Sequence, residues 1–182
     1  GQHGLYDKRL LLEESVKMPL IVRYPGSIKA GTVNEELVSN VDFAPTLLEF
    51  AGIKPDSRMQ GRSITPLLAG RTPADWRQAI WYAYGAAGHP HWGMRSKRYK
   101  LVLFPGTEDF EFYDLQKDPR EMNNLAGVTD YAAAIAEARK TVEALKLEVG
   151  ILPGQLPAKG GWARAGARER KGKKKNSKQE SN

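Results

Sequence analysis

Two short stretches hold the side chains best suited to chemistry on an anion. His3 and Lys8 stand five residues apart, between glycines at 1 and 4 and a run of charged residues. Lys8 precedes a helix candidate, and the positive end of a helix dipole disfavours a cation there. Such a lysine is either solvated or held in place by an anion. His3 either donates to that anion or stabilises its own turn. The second stretch is His89-Pro90-His91, just ahead of Arg95. Two histidines that close can share a metal only with a third ligand, and none stands near them in the sequence. Otherwise they belong to a solvated turn. The chain has no cysteine, which excludes a disulfide, a thiolate metal site and a cysteine nucleophile within it.

The elements that must position these residues follow from pattern. Residues 9–18 make a short helix candidate that Pro19 stops. Leu20, Ile21, Val22 and Tyr24 read as a buried strand closed by the Pro25-Gly26 turn. Asp42 is placed to cap a helix over 43–52, with Pro45 in its first turn and Gly52 at its end. A shorter helix is expected over 63–70. From Ala79 the texture changes: 80–84, 92–95, 99–104 and 110–115 are aromatic-rich runs separated by turn residues, with Lys97-Arg98 at a hairpin tip. They predict an antiparallel sheet of about four strands. Tyr131, Ile135, Ala138, Val142, Leu145 and Val149 recur every three or four residues and predict a helix over 130–149.

The net charge of +7 on 182 residues suggests a nucleic-acid binder until it is located. Residues 159–182 carry nine Lys or Arg and two Glu, whereas residues 1–158 are neutral. The excess belongs to a Gly/Lys/Arg-rich tail without apolar periodicity, expected to be disordered. With Trp162 its only aromatic residue, it offers weak, salt-sensitive polyanion binding rather than base stacking. No apolar run reaches the roughly 18 residues of a membrane span, so no membrane partner is expected. The chain opens on Gly1 rather than Met, which leaves room for a signal peptide lost upstream.

Four blocks carry a family resemblance: Gly1-Gln2-His3-Gly4 with Lys8, Glu13 and Pro19-Leu20-Ile21; Asp42-Phe43-Ala44-Pro45-Thr46-Leu47-Leu48; Gly93-Met94-Arg95 with Tyr99-Lys100; and Tyr113-Asp114-Leu115 with Asp118-Pro119-Arg120-Glu121 and Asn123-Asn124-Leu125. Their order and spacing resemble the type I sulfatases of the iduronate-2-sulfatase and bacterial arylsulfatase branch. That family shares a G-E-H-G…K-x4-E…P-L-I run, D-x-x-P-T-L-L, G-x-R-x-x-x-Y-K, and L-Y-D-L-x-x-D-P-x-E-x-x-N-L.

The resemblance implies an α/β fold of the alkaline-phosphatase-like superfamily, represented by its C-terminal portion. Residues 1–78 would be the end of the catalytic α/β domain, 79–152 a small antiparallel-sheet and helix subdomain, and 153–182 the basic tail. It implies hydrolysis of a carbohydrate or aryl sulfate ester, with a formylglycine and a divalent metal, usually calcium, in the parent enzyme. The C/S-x-P-x-R motif that yields formylglycine is absent here, and the family's metal ligands would lie upstream of Gly1. No metal ligand is therefore assigned to this chain, and alone it is expected to be inactive, with the missing N-terminal part as its partner. Lys8 inherits the sulfate contact, and His3 a hydrogen-bonding or proton-relay place beside it. His91 and Arg95 are candidate substrate contacts from the subdomain beside the cleft. The alternatives are a phosphodiesterase or phosphonate hydrolase of the same superfamily and a non-catalytic, polyanion-binding fragment. A periplasmic or secreted location fits the family.

Overall fold

The computed structural model describes residues 2–4, 10–85, 90–151 and 155–156. They divide into two compact units, residues 18–80 and, together, those up to 17 and from 81 onward. The segment up to residue 17 groups with the sheet, for a reason given below.

The second of these units is built on a four-stranded sheet in the order β1 (Ala79–Tyr84), β2 (His91–Ser96), β3 (Tyr99–Leu103) and β4 (Phe110–Asp114). Strands β2, β3 and β4 are antiparallel neighbours, with Met94 opposite Leu101 and Leu101 opposite Phe112. Side chains alternate between faces along each strand, so these three share one face. All three are buried. They lie under a long helix, Ala132–Glu148, which buries Ile135, Ala138 and Val142 at the expected spacing. Tyr131 at its start contacts the Phe112 ring, and the Arg139 guanidinium sits over Phe110, 4.4 Å from the ring centre. Gly93 is a steric requirement: a Cβ there would fall 1.8 Å from the Leu101 carbonyl oxygen.

The hairpin tip folds back on β4. Arg98 donates to both carboxylate oxygens of Asp114 at 2.9–3.3 Å, and together with the backbone N–H groups of Gln116 and Lys117 it holds that carboxyl below its usual range against the opposing effect of burial. Asp118 accepts from the N–H and side-chain amide of Asn123 at 2.8 and 3.3 Å. Asn124 Oδ1 accepts the Phe112 N–H at 3.0 Å. Asp114, Asp118 and Asn123 thus hold the strand end and the turn that follows it.

The other unit holds two helices, Phe43–Phe50 and Thr65–Leu68, around a core of Ile64, Leu67 and Trp76. Asp42 differs from its expected role. It is not the side-chain cap of the Phe43 helix but the third residue of a capping box begun at Ser39, whose N–H donates to Asp42 Oδ2 at 2.8 Å. The rest of its buried carboxylate is engaged by Arg77, at 2.6 and 2.7 Å, and by the Arg62 N–H at 2.8 Å. Thr46 of the same block donates to the Asp42 carbonyl and accepts the Ile64 N–H. The motif is thus a splice between the two helices.

Residues 20–24 form no strand, contrary to the sequence expectation. Ile21 is 90% exposed and Leu20 45%. A run of this kind becomes a buried strand only when neighbours supply its backbone partners, and no described segment of the chain does so. The Pro25-Gly26 turn does form, with Gly26 at φ 84°.

Candidate functional site

The face of the sheet opposite the long helix gathers the charged residues of three sequence blocks. Arg95 lies opposite Lys100, and Lys100 opposite Tyr113, so alternation places His91, Gly93 and Arg95 on one face with Lys100, Glu111 and Tyr113. Onto this face comes the N-terminal segment through Glu13, first residue of the four-residue helix Glu13–Val16. This is the short remainder of the helix expected over 9–18.

Lys100 is fully buried, its Nζ 2.8 Å from Glu13 Oε1 and 2.5 Å from Glu121 Oε1. Arg95 donates to the other side of Glu13, at 2.9 Å to Oε2 and 3.3 Å to Oε1. Glu121 Oε2 in turn accepts the Glu13 backbone N–H at 2.7 Å. Two cations and two carboxylates thus close a neutral cluster, the arrangement in which buried charge is tolerable. Glu121 reaches it from a left-handed backbone, φ 54°, in the turn begun by Asp118. For a residue with a Cβ that conformation costs about 1–3 kcal/mol and persists only where its surroundings impose it. This clamp is why residues up to 17 group with the sheet.

Burial raises the affinity of Glu13 for a proton, but hydrogen bonds and charge from Arg95 and Lys100 outweigh it and hold the carboxyl below the usual range. For Glu121 burial wins over Lys100, and its carboxyl is pushed up. Burial likewise raises Glu111, against the Tyr113 hydroxyl and the charges of Lys100 and His3. A carboxyl lowered by folding contributes stability above its unfolded pKa, and this is lost as pH falls through the folded value. The stability advantage of wild type over Glu13→Gln is therefore expected to hold near neutrality and to shrink on acidification below about pH 4, the ordinary glutamate range. Melting temperatures of both proteins from pH 7 to 3 check this.

Of the residues singled out from sequence, Lys8 and His89 lie outside the described residues. His3 is half-buried in a single 3-10 turn, Gln2–Gly4, with φ 57° and Nε2 4.0 Å from Glu14 Oε2. Arg95 is engaged by Glu13 rather than presented outward. His91 is fully buried, with ring centres of Tyr82, Tyr84 and Phe104 at 6.2, 5.3 and 5.9 Å. It sits four residues from Arg95 along β2, about 13 Å at strand rise. The structure therefore brings Arg95 to the N-terminal segment and places His91 in a separate aromatic cluster. Sequence reasoning passed over Glu13, Lys100 and Glu121. Their signal was present: they are the charged letters of K-x4-E, Y-K and D-P-x-E.

Among the described residues no three of His, Asp or Glu are grouped so as to hold a cation. The chain contains no C/S-x-P-x-R run from which a formylglycine could be made.

Residues 1–148 match the family model N-sulphoglucosamine sulphohydrolase, C-terminal. Over 151 residues the chain is 46% identical to an N-acetylglucosamine-6-O-sulfatase of Bacteroides thetaiotaomicron, covering 79% of this chain and 27% of that protein. A solved complex of a protein with its substrate D-glucosamine-2-N,6-O-disulfate superposes with a TM-score of 0.78 at 42% identity, over 81% of this chain and 32% of the other. The phosphonate monoester hydrolase of Agrobacterium radiobacter is more distant, with a TM-score of 0.59 at 30% identity, over 69% of this chain and 27% of that one. The chain thus spans about a third or less of the proteins it matches. It belongs to the type I sulfatase family and carries the C-terminal portion of that family's alkaline-phosphatase-like α/β fold.

Proposed function

We propose that this chain is the C-terminal part of a sulfuric-ester hydrolase that removes sulfate from a glucosamine-type sugar. The observation that carries the reading is the cluster of Glu13, Arg95, Lys100 and Glu121, in which three motifs shared with sulfatases meet in one buried place. The substrate class is supported by the glucosamine sulfatase at 46% identity and by the glucosamine disulfate complex at TM-score 0.78. Met18, Leu20 and Ile21, near neighbours in the sequence and 64%, 45% and 90% exposed, suit a chain that packs against a further segment.

In this reading the formylglycine and a divalent cation, calcium by family, come from that further segment and supply the nucleophile and its activation. The present chain supplies Lys8. As the ester S–O bond breaks, negative charge grows on the sulfuryl oxygens and on the departing sugar oxygen. A fixed ammonium stabilises that charge more in the transition state than in the bound ester, and it can give a proton to the leaving group. His3, five residues before Lys8 in the sequence, is the candidate hydrogen-bond donor or proton relay, and Glu14 Oε2 lies 4.0 Å from its Nε2.

The test is turnover by the complete protein on three probes: glucosamine 6-sulfate, 4-nitrophenyl sulfate and a phenyl phosphonate monoester. The sulfated amino sugar is expected to give the highest kcat/KM. Preference for the phosphonate ester would instead place the protein with the phosphonate hydrolases.

A further inference from the structure

We propose that the charged face of the sheet is a pH-tuned clamp on residues 10–17, tightest in weak acid, when Glu13, Glu111 and Glu121 hold one proton among them. Arg95 and Lys100 are the permanent cations of this face, and those three glutamates are its carboxyls. Ionised together, the acids exceed the cations by one charge, in a place where the Lys100 and Glu121 side chains are closed to water. An uncompensated charge there is costly, and one bound proton removes it. The remaining ionisable groups about the face do not supply the balance. His3 faces Glu111 but lies 4.0 Å from Glu14, so any charge on its ring is matched there. The Tyr113 hydroxyl is pushed up by burial and by Glu111 and keeps its proton, and Asp118 beside it is occupied by Asn123.

Residues 10–17 depend on this face for their hold. Their helix is four residues long with no side-chain cap, and a helix so short is unstable alone. Leu11 is buried, and the long-range bonds are made by Glu13: its carboxylate to Arg95 and Lys100, its N–H to Glu121. The opposite face, where Met94, Leu101 and Phe112 meet Ile135, Ala138 and Val142, carries no ionisable side chain among these residues. A proton bound or lost on the charged face therefore acts on the segment rather than on the core under the long helix.

Docking of the segment changes the proton affinity of the acids in opposite senses. Burial pushes Glu121 up against the pull of Lys100, and the charge of Glu13, which arrives with the segment, adds to the rise. Burial pushes Glu111 up against Tyr113, Lys100 and His3. Both acids hold a proton more firmly with the segment in place, so docking gains as pH falls from neutrality toward the ordinary glutamate range. A neutral Glu121 still has an acceptor oxygen for the Glu13 N–H. Burial raises Glu13 too, but Arg95 and Lys100 outweigh it and hold its carboxyl low. Its contribution is present above the ordinary range and is lost as pH falls through that lowered value. The hold thus has a maximum between the two losses.

The experiment is amide hydrogen exchange of the complete protein from pH 7.5 to 3.5, read on peptides covering residues 10–17. Rates are divided by those of an unstructured peptide at the same pH. The reporters are the N–H groups of Glu13, bonded to Glu121, and of Ser15, Val16 and Lys17, bonded within the short helix. Protection is expected to rise about three- to tenfold from pH 7.5 to 5.5, tenfold corresponding to one unit of pKa difference, and to fall again below about pH 4. Glu111→Gln removes the surplus carboxyl, so its protection at pH 7.5 should already match wild type at pH 5.5 and change less than about twofold between them. If that variant does not fold, Glu121→Gln replaces it and should give the same flat profile at lower protection. His3→Asn should keep the wild-type rise. Wild-type protection that is flat or falls from pH 7.5 to 5.5 would overturn the proposal, as would an undiminished rise in Glu111→Gln. Loss of the rise in His3→Asn would assign the proton to the imidazole and overturn it equally. An equal rise in peptides of the helix Ala132–Glu148 would make the effect global rather than a clamp on the segment.

Discussion

Replacing Lys8 by Ala in the complete enzyme is expected to lower kcat/KM on a sulfated amino sugar by about 10²–10³, or about 2.7–4 kcal/mol of transition-state stabilisation. The loss should fall mainly on kcat, because the charge the ammonium answers is larger in the breaking ester than in the bound one. Lys8→Arg should restore only part of it. A guanidinium is a planar fork on a longer reach, whereas the proposed sulfate contact calls for a compact charge that can also release a proton. Steady-state kinetics on both variants, with melting temperatures to show an unchanged fold, decide the matter. Near-wild-type turnover by Lys8→Ala would return Lys8 to an ordinary exposed lysine.

The sheet was legible because its signal is local. Aromatic and β-branched runs separated by turn residues predict β1 to β4 within a residue or two, and the period of the 130–149 run gives the long helix with its buried face. The splice at Asp42 was half legible. The capping chemistry is readable from sequence, but Arg77 lies 35 residues away and no short-range pattern announces it. Leu20 to Tyr24 failed for the opposite reason. Composition reports that a segment could be buried on both faces, while burial itself depends on strands that must come from elsewhere.

The site residues show the same divide. His3 and Lys8 attract notice because their chemistry is conspicuous beside glycines. Lys100 looks like a surface residue on a strand, and only the register that sets it opposite Tyr113 with Glu13 above reveals a buried cation. Glu121 is still less legible, because a glutamate with positive φ in a D-P-x-E turn reads as solvated until its carboxylate is seen reaching inward. Arg95 was chosen for a substrate and is held by a carboxylate 82 residues distant. A sequence pattern can flag a charged residue in a motif, but which opposite charge meets it is a property of the folded chain.

The strongest effect on stability is expected from Lys100→Met. The substitution keeps the unbranched stem but leaves Glu121 buried without its cation and Glu13 with Arg95 alone. Removing one partner of a buried ion cluster costs about 3–5 kcal/mol, because the remaining charge cannot recover its hydration. Glu121, already pushed up by burial, should then take up a proton at higher pH still. Arg95→Met should cost far less, about 1 kcal/mol or below, since its side chain is 21% exposed and Glu13 retains Lys100. The decisive comparison is Lys100→Met combined with Glu121→Gln. Gln keeps an amide oxygen for the Glu13 N–H but removes the stranded charge, so the double variant should be more stable than Lys100→Met alone. Urea midpoints at pH 7 for the complete protein measure all three. A double variant no more stable than Lys100→Met would mean that the cost comes from lost packing around the lysine stem rather than from an unpaired buried carboxylate.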